Sequence, residues 1–139
     1  MEVKRGKRIS ERRLVDVLVH HARPRFFTAR EVPHYEKRID VVAVERHTGE
    51  VRAIEVKVSD WPRALSQAIV NQAAADRSYI ALHSETAHRV SWEELERTGI
   101  GLISIGSRWG DVRILKDARP STVCNKITLS RLRTAAGGG

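Results

Sequence analysis

The stretch RIDVVAVERHTGEVRAIEVKVSDW, residues 38–61, decides the fold. Its two apolar runs, RIDVVAVE and EVRAIEVKVS, are rich in Val, Ile and Ala and read as buried strands. The segment between them, RHTGE, carries a turn signal. Asp40, Glu55 and Lys57 interrupt the apolar pattern. Side chains alternate along a strand, so Glu55 and Lys57 share one face while Ile54, Val56 and Val58 take the other. A hairpin folded about His47 to Glu50 would set Asp40 opposite Lys57 and diagonal to Glu55. Diagonal neighbours lie roughly 7 Å apart, within reach of long side chains.

Charges at such positions are costly to bury unless they are paired or hold a metal. Two carboxylates converging on one patch suit a hard divalent cation such as Mg²⁺, which prefers oxygen ligands and keeps several waters. A metal there polarises a phosphate and lowers the pKa of its bound water. A lysine beside it can orient that water or stabilise charge building on the phosphate. The competing reading is an ion pair at a sheet edge, with Lys57 on Asp40 and Glu55 in water.

Outward from this hairpin, ISERRLVDVLVHHA (residues 9–22) has helical apolar spacing, with Ser10 as its cap. RFFTAREVPHY (25–35) is strand-like, and Pro33 marks an edge or a bend. DWPRALSQAIVNQAAADR (60–77) is a helix with Asp60 as cap and Pro62 in its tolerant first turn. SYIALHS is a buried strand, SWEELERTG a capped helix stopped at Gly99, and IGLISIG and DVRILKDA two further strands joined by SRWG. The order α, β, β, β, α, β, α, β, β predicts an α/β domain: a mixed central sheet flanked by helices. Residues 1–134 read as one domain, and residues 135–139, ending in glycines, as a flexible tail.

At 139 residues the chain has one domain's length and enough material for a core. With 41% hydrophobic and 30% charged residues it is neither fibrous nor compositionally disordered. No apolar run approaches the ~20 residues of a membrane span, and nothing resembles a signal peptide, so a cytoplasmic location is the expectation. The lone cysteine, Cys124, excludes an internal disulfide and a cysteine-built zinc site. The net charge of +8 points to a polyanion as partner, nucleic acid first. The segments KRGKR (4–8) and NKITLSRLR (125–133) are candidate backbone-binding arms.

Over residues 9–83 the chain resembles the PD-(D/E)XK nuclease superfamily, the restriction-endonuclease-like fold. The shared features are a helix, three strands, a helix and a strand, with Asp40 on the second strand and Glu55-Val56-Lys57 on the third. Ile39 stands where the name-giving proline would be, and the Gln-x-x-x-Tyr signature of the RecB-like branch is absent. The resemblance implies a nuclease acting on DNA with Mg²⁺ or Mn²⁺. It implies metal ligation by Asp40, Glu55 and the carbonyl of Val56, with Lys57 serving the attacking water. Many members, archaeal Holliday-junction resolvases among them, add an acid from the first helix; Glu11 is the match, with Asp16 the alternative. Some members place a glutamine on the following helix, which Gln67 fits. Resolvases and many restriction enzymes pair two sites to cut two strands, so the resemblance also raises a homodimer. The alternative function is a nucleic-acid-binding or protein-interaction module on the same fold that does not cut.

Overall fold

The computed structural model describes residues 9–137. Its elements are α1 (Glu11–Ala22), β1 (Phe26–His34), β2 (Lys37–Glu45), β3 (Val51–Lys57), α2 (Trp61–Asn71), β4 (Arg77–His83), α3 (Ser84–Ala87), α4 (Trp92–Thr98), β5 (Gly101–Ile105), β6 (Val112–Lys116) and α5 (Lys126–Ala135). One six-stranded sheet runs in the order β1-β2-β3-β4-β5-β6. The outer pairs β1–β2, β2–β3 and β5–β6 are antiparallel, and β3–β4 and β4–β5 are parallel. This is the expected mixed sheet with helices on its faces. Pro33 sits in β1, which pairs with β2 alone, so its missing N–H removes nothing from a central ladder.

Local chemistry sets the boundaries. Ser10 accepts the Arg13 N–H and starts α1. Asp60 accepts the Arg63 N–H at the head of α2, and Ser91 accepts the Glu94 N–H at the head of α4. Gly99 ends α4 in the left-handed region, φ 80°. The two parallel crossovers run through α2 and through α3–α4.

Alternation along the strands divides the core in two. Leu14, Val17 and Leu18 of α1 pack on Val41, Ile54, Val56, Tyr79, Ile103 and Ile105. On the other face Ala64, Leu65 and Ala68 of α2 meet Ile80, Leu82 and Leu102, while Leu132 of α5 covers Val42, Val44, Val51 and Ala53. The central stretches of β2 and β3 are therefore apolar on both faces, and Glu55 within them is buried.

Three expectations are corrected. NKITLSRLR is no free arm: most of it is α5, capped by Asn125 and docked on the sheet through Leu132. That helix also carries the chain past residue 134, and Ala136 is buried against the same cluster. The packed domain thus reaches Ala136, two residues into the segment read as a tail. The hairpin register differs from the predicted one as well, with consequences for the site given below. The other candidate arm, KRGKR, lies outside the described residues.

Gly101 pairs with Tyr79 in the β4–β5 ladder. A Cβ at this position would run into the Tyr79 ring and come within 2.7 Å of the Ala118 backbone nitrogen. Tyr79 is fully buried, with its hydroxyl on Asp117 at 3.1 Å, so it cannot swing away cheaply. Gly101→Ala should therefore destabilise the fold by about 1–3 kcal/mol, read as a lower thermal midpoint. A midpoint unchanged from the parent would contradict this packing.

Candidate active site

The strands β2 and β3 pair as Val44↔Val51, Val42↔Ala53 and Val41↔Ile54. Continued one step, this register sets Asp40 beside Glu55, not opposite Lys57 as the sequence predicted. The shift is two residues, which preserves the face of every side chain. Its cause is the turn. Glu45 accepts the Gly49 N–H through its carbonyl and the Thr48 N–H through its carboxylate, centring the loop one residue early.

At Asp40 the ladder gives way to side-chain bonding. The Val56 N–H donates to Asp40 Oδ2 at 2.8 Å, so the carboxylate takes over a backbone donor of β3. Glu55 is 3% exposed. Its Oε2 accepts from Asn71 Nδ2 of α2 at 2.9 Å. Each carboxylate is thus anchored by a directional hydrogen bond, and the two lie within hydrogen-bonding reach of each other.

The electrostatics follow from this burial. Desolvation, and then the charge of Asp40, raise the Glu55 carboxyl to about 7. Burial likewise lifts Asp40 above the ordinary aspartate range, against the opposing Val56 N–H bond. With the Glu55 carboxyl raised to about 7 and Asp40 also raised, the pair favours keeping a proton below neutral pH, against the nearby Lys57 ammonium, which pulls Asp40 down.

Lys57 reaches the end of the sheet, where its Nζ lies 3.7 Å from Glu11 Oε2 of α1. Asp16, the alternative first-helix acid, points elsewhere: its Oδ1 is 2.6 Å from Arg30. Arg30 also holds the Asp16 carboxyl below its usual range. Gln67 is brought to the site on the Glu55 side, and its Oε1 is buried without a hydrogen-bond partner. The structure thus gathers Asp40, Glu55, Lys57, Glu11 and Gln67 at one end of the sheet and leaves Asp16 out.

Two residues at this end were missed in the sequence. Asn71 follows Gln67 by four positions and so shares its helix face, a signal that was available. Glu31 lines a cleft with Asp40, Glu11 and Arg12. It sits in β1 with φ 52°, a conformation that non-glycine residues rarely adopt. Tyr35, at the border of the site, holds φ 59°. Nothing in residue type announces either backbone.

The donor set can be tested against a metal. Among the described residues no group of three or more His, Cys, Asp and Glu side chains is arranged to hold an ion. Zinc-type centres are thereby disfavoured. Mg²⁺ asks for less: one or two carboxylates, with waters and substrate oxygens completing its shell. The Asp40–Glu55 pair meets that requirement, and a cation would replace the proton that the pair holds.

No protein-family model matches the chain, and no curated protein matches it. Among solved structures the fold is similar to a protein of unknown function from Silicibacter pomeroyi, with a TM-score of 0.71 at 22% identity, over 94% of this chain and 86% of that one. It is also similar to a repair endonuclease from Pyrococcus abyssi, with a TM-score of 0.53 at 20% identity, over 73% of this chain and 49% of that one. The matched region is about half of that endonuclease. At these identities the likeness establishes the fold alone, a mixed six-stranded sheet flanked by helices. Among the described residues no helix is long and apolar enough to cross a membrane.

Proposed function

We propose that this chain is a metal-dependent nuclease that hydrolyses DNA phosphodiester bonds. The observation that carries the reading is the dry Asp40–Glu55 pair with Lys57 at its end of the sheet. Such an arrangement destabilises an apo fold and is costly to keep without a ligand to neutralise it. Asp40, Glu55 and the Val56 carbonyl would hold Mg²⁺ or Mn²⁺, which polarises a phosphate and acidifies a bound water. The chain's own residues do the rest. Asn71 fixes the Glu55 carboxylate in one orientation, and the Val56 N–H does the same for Asp40. Lys57 presents its ammonium where an attacking water or a phosphate oxygen would sit. Glu11 holds that ammonium in place from α1. The net charge of +8 supplies sequence-blind attraction to a phosphate backbone. A homodimer would give two such sites for two strands, and the cytoplasm is the compartment proposed.

The test is cleavage of linear, single-stranded, nicked and four-way-junction DNA with Mg²⁺, Mn²⁺ or EDTA. Cutting should require the metal and vanish in Glu55→Ala and Lys57→Ala. Binding of these DNAs with no cutting under any condition would instead make the domain a non-catalytic module.

A further inference from the structure

Beside Glu55, on the face opposite α1, lies a cleft of about 340 Å³. His34, Tyr35, Ile39, Gln67 and Val70 line it. Two of its polar atoms, His34 Nε2 and Gln67 Oε1, are buried without a well-formed hydrogen bond among the described residues, although the Val70 backbone also approaches the His34 ring. His34 is only 5% exposed. Orphaned buried polar atoms are rare, because each forfeits its bonds to water without replacement. Two of them in one cleft suggest that something supplies the missing partners.

The mouth of the cleft is unusual too. Since His34 pairs with Lys37, Tyr35 and Glu36 form a two-residue hairpin turn. Such turns favour Asn or Gly at positive φ, yet Tyr35 holds φ 59° with its side chain 82% exposed. A bulky residue strained in this way earns no folding energy from its ring. The ring instead lies against the His34 imidazole, with centroids 4.6 Å apart. Glu36, Lys37 and Arg38 complete the rim, and with Arg38 3.7 Å from Glu31, Lys37 is the cation it offers a phosphate.

We propose that this cleft receives an unpaired base of the nucleic-acid substrate, stacked on Tyr35, with its polar edge on His34 Nε2 and Gln67 Oε1. An aromatic platform, two hydrogen-bonding atoms and a lysine at the rim are what a single-stranded base with its phosphate requires. A paired base has its polar edge occupied and could not enter. The inference rests on the nuclease reading for the identity of the ligand, and it assigns that site a substrate with a single-stranded element beside the scissile bond.

The experiment is equilibrium binding by fluorescence anisotropy in EDTA, so that no cleavage occurs. The probes are a labelled single-stranded oligonucleotide and the blunt duplex of the same sequence. Tyr35→Asn suits the positive φ and should keep or raise the thermal midpoint. It should weaken single-strand binding about tenfold, the scale of one lost base stack, and leave duplex binding unchanged. Tyr35→Phe, which keeps the ring, should bind like the parent. Equal single-strand affinity in Tyr35→Asn and parent, or an equal loss on the duplex, would overturn the proposal. Because binding is read without metal, the two readings fail separately. A protein that cuts with Mg²⁺ but shows no Tyr35 dependence loses only the base cleft. One that shows the dependence but never cuts loses only the nuclease.

Discussion

Replacing Glu55 by glutamine should make the metal-free protein more stable at alkaline pH, by about 3 kcal/mol near pH 8. The Glu55 carboxyl is raised from 4.5 to about 7 in the folded chain. A raised folded-state pKa means that the native state binds the proton more tightly than the unfolded state does. That contribution is fully present below about pH 4.5 and is lost as the pH climbs through about 7. The parent should therefore lose stability across this window, whereas Glu55→Gln has no proton to lose there. Glutamine still offers an oxygen to Asn71 and brings an amide donor towards Asp40, so the cavity is neither emptied nor left unpaired. Near pH 4 the two proteins should unfold alike. Adding Mg²⁺ at pH 8 should restore stability to the parent and do little for the variant. Denaturant unfolding at both pH values measures all of this, and parallel pH profiles for the two proteins would contradict it.

Lys57→Ala should lower the cleavage rate by about 10²- to 10⁴-fold, the range spanned by losing one positioned proton-transfer or charge-stabilising group. The loss should fall on kcat, since the ammonium acts on charge that develops during the reaction and contributes little to holding the substrate. Its side chain is 21% exposed and it pairs at 3.7 Å with a half-exposed Glu11, so the truncation costs little stability. Asp16→Asn is the matched control: it removes an acid from the same helix, but one engaged with Arg30, and should cut at the parental rate. Single-turnover kinetics separates the two. A Lys57→Ala enzyme as fast as the parent would remove the lysine from the chemistry.

Much of this site could be read from the sequence because strand geometry is forgiving in one respect. The predicted register of β2 against β3 was off by two residues, yet Asp40 and Glu55 stayed on one face, since the side-chain period is also two. What could not be read was the turn, whose centre is set by how Glu45 bonds Thr48 and Gly49. The choice between Glu11 and Asp16 was open for a related reason. Five residues apart, they lie about 140° apart around a helix, and only the docking of α1 on the sheet selects between them. The C-terminal helix was missed because glycines beyond it suggested a tail, although Leu129, Leu132 and Ala136 keep a helical spacing. The positive φ of Glu31 and of Tyr35 lay beyond sequence reasoning, since it is a backbone conformation that their residue types disfavour. The unpartnered atoms of His34 and Gln67 likewise exist only once β1 and α2 are packed together.

The central claim is that Asp40 and Glu55 exchange a shared proton for a divalent cation. Calorimetric titration with Mn²⁺, repeated in buffers of different ionisation enthalpy, counts the protons released as the metal binds. The parent should release about one proton per Mn²⁺ near pH 6 and progressively fewer as the pH rises past about 7. Glu55→Gln should neither bind comparably nor release that proton. Metal uptake of equal strength in the variant, or binding by the parent near pH 6 with no proton released, would contradict the account.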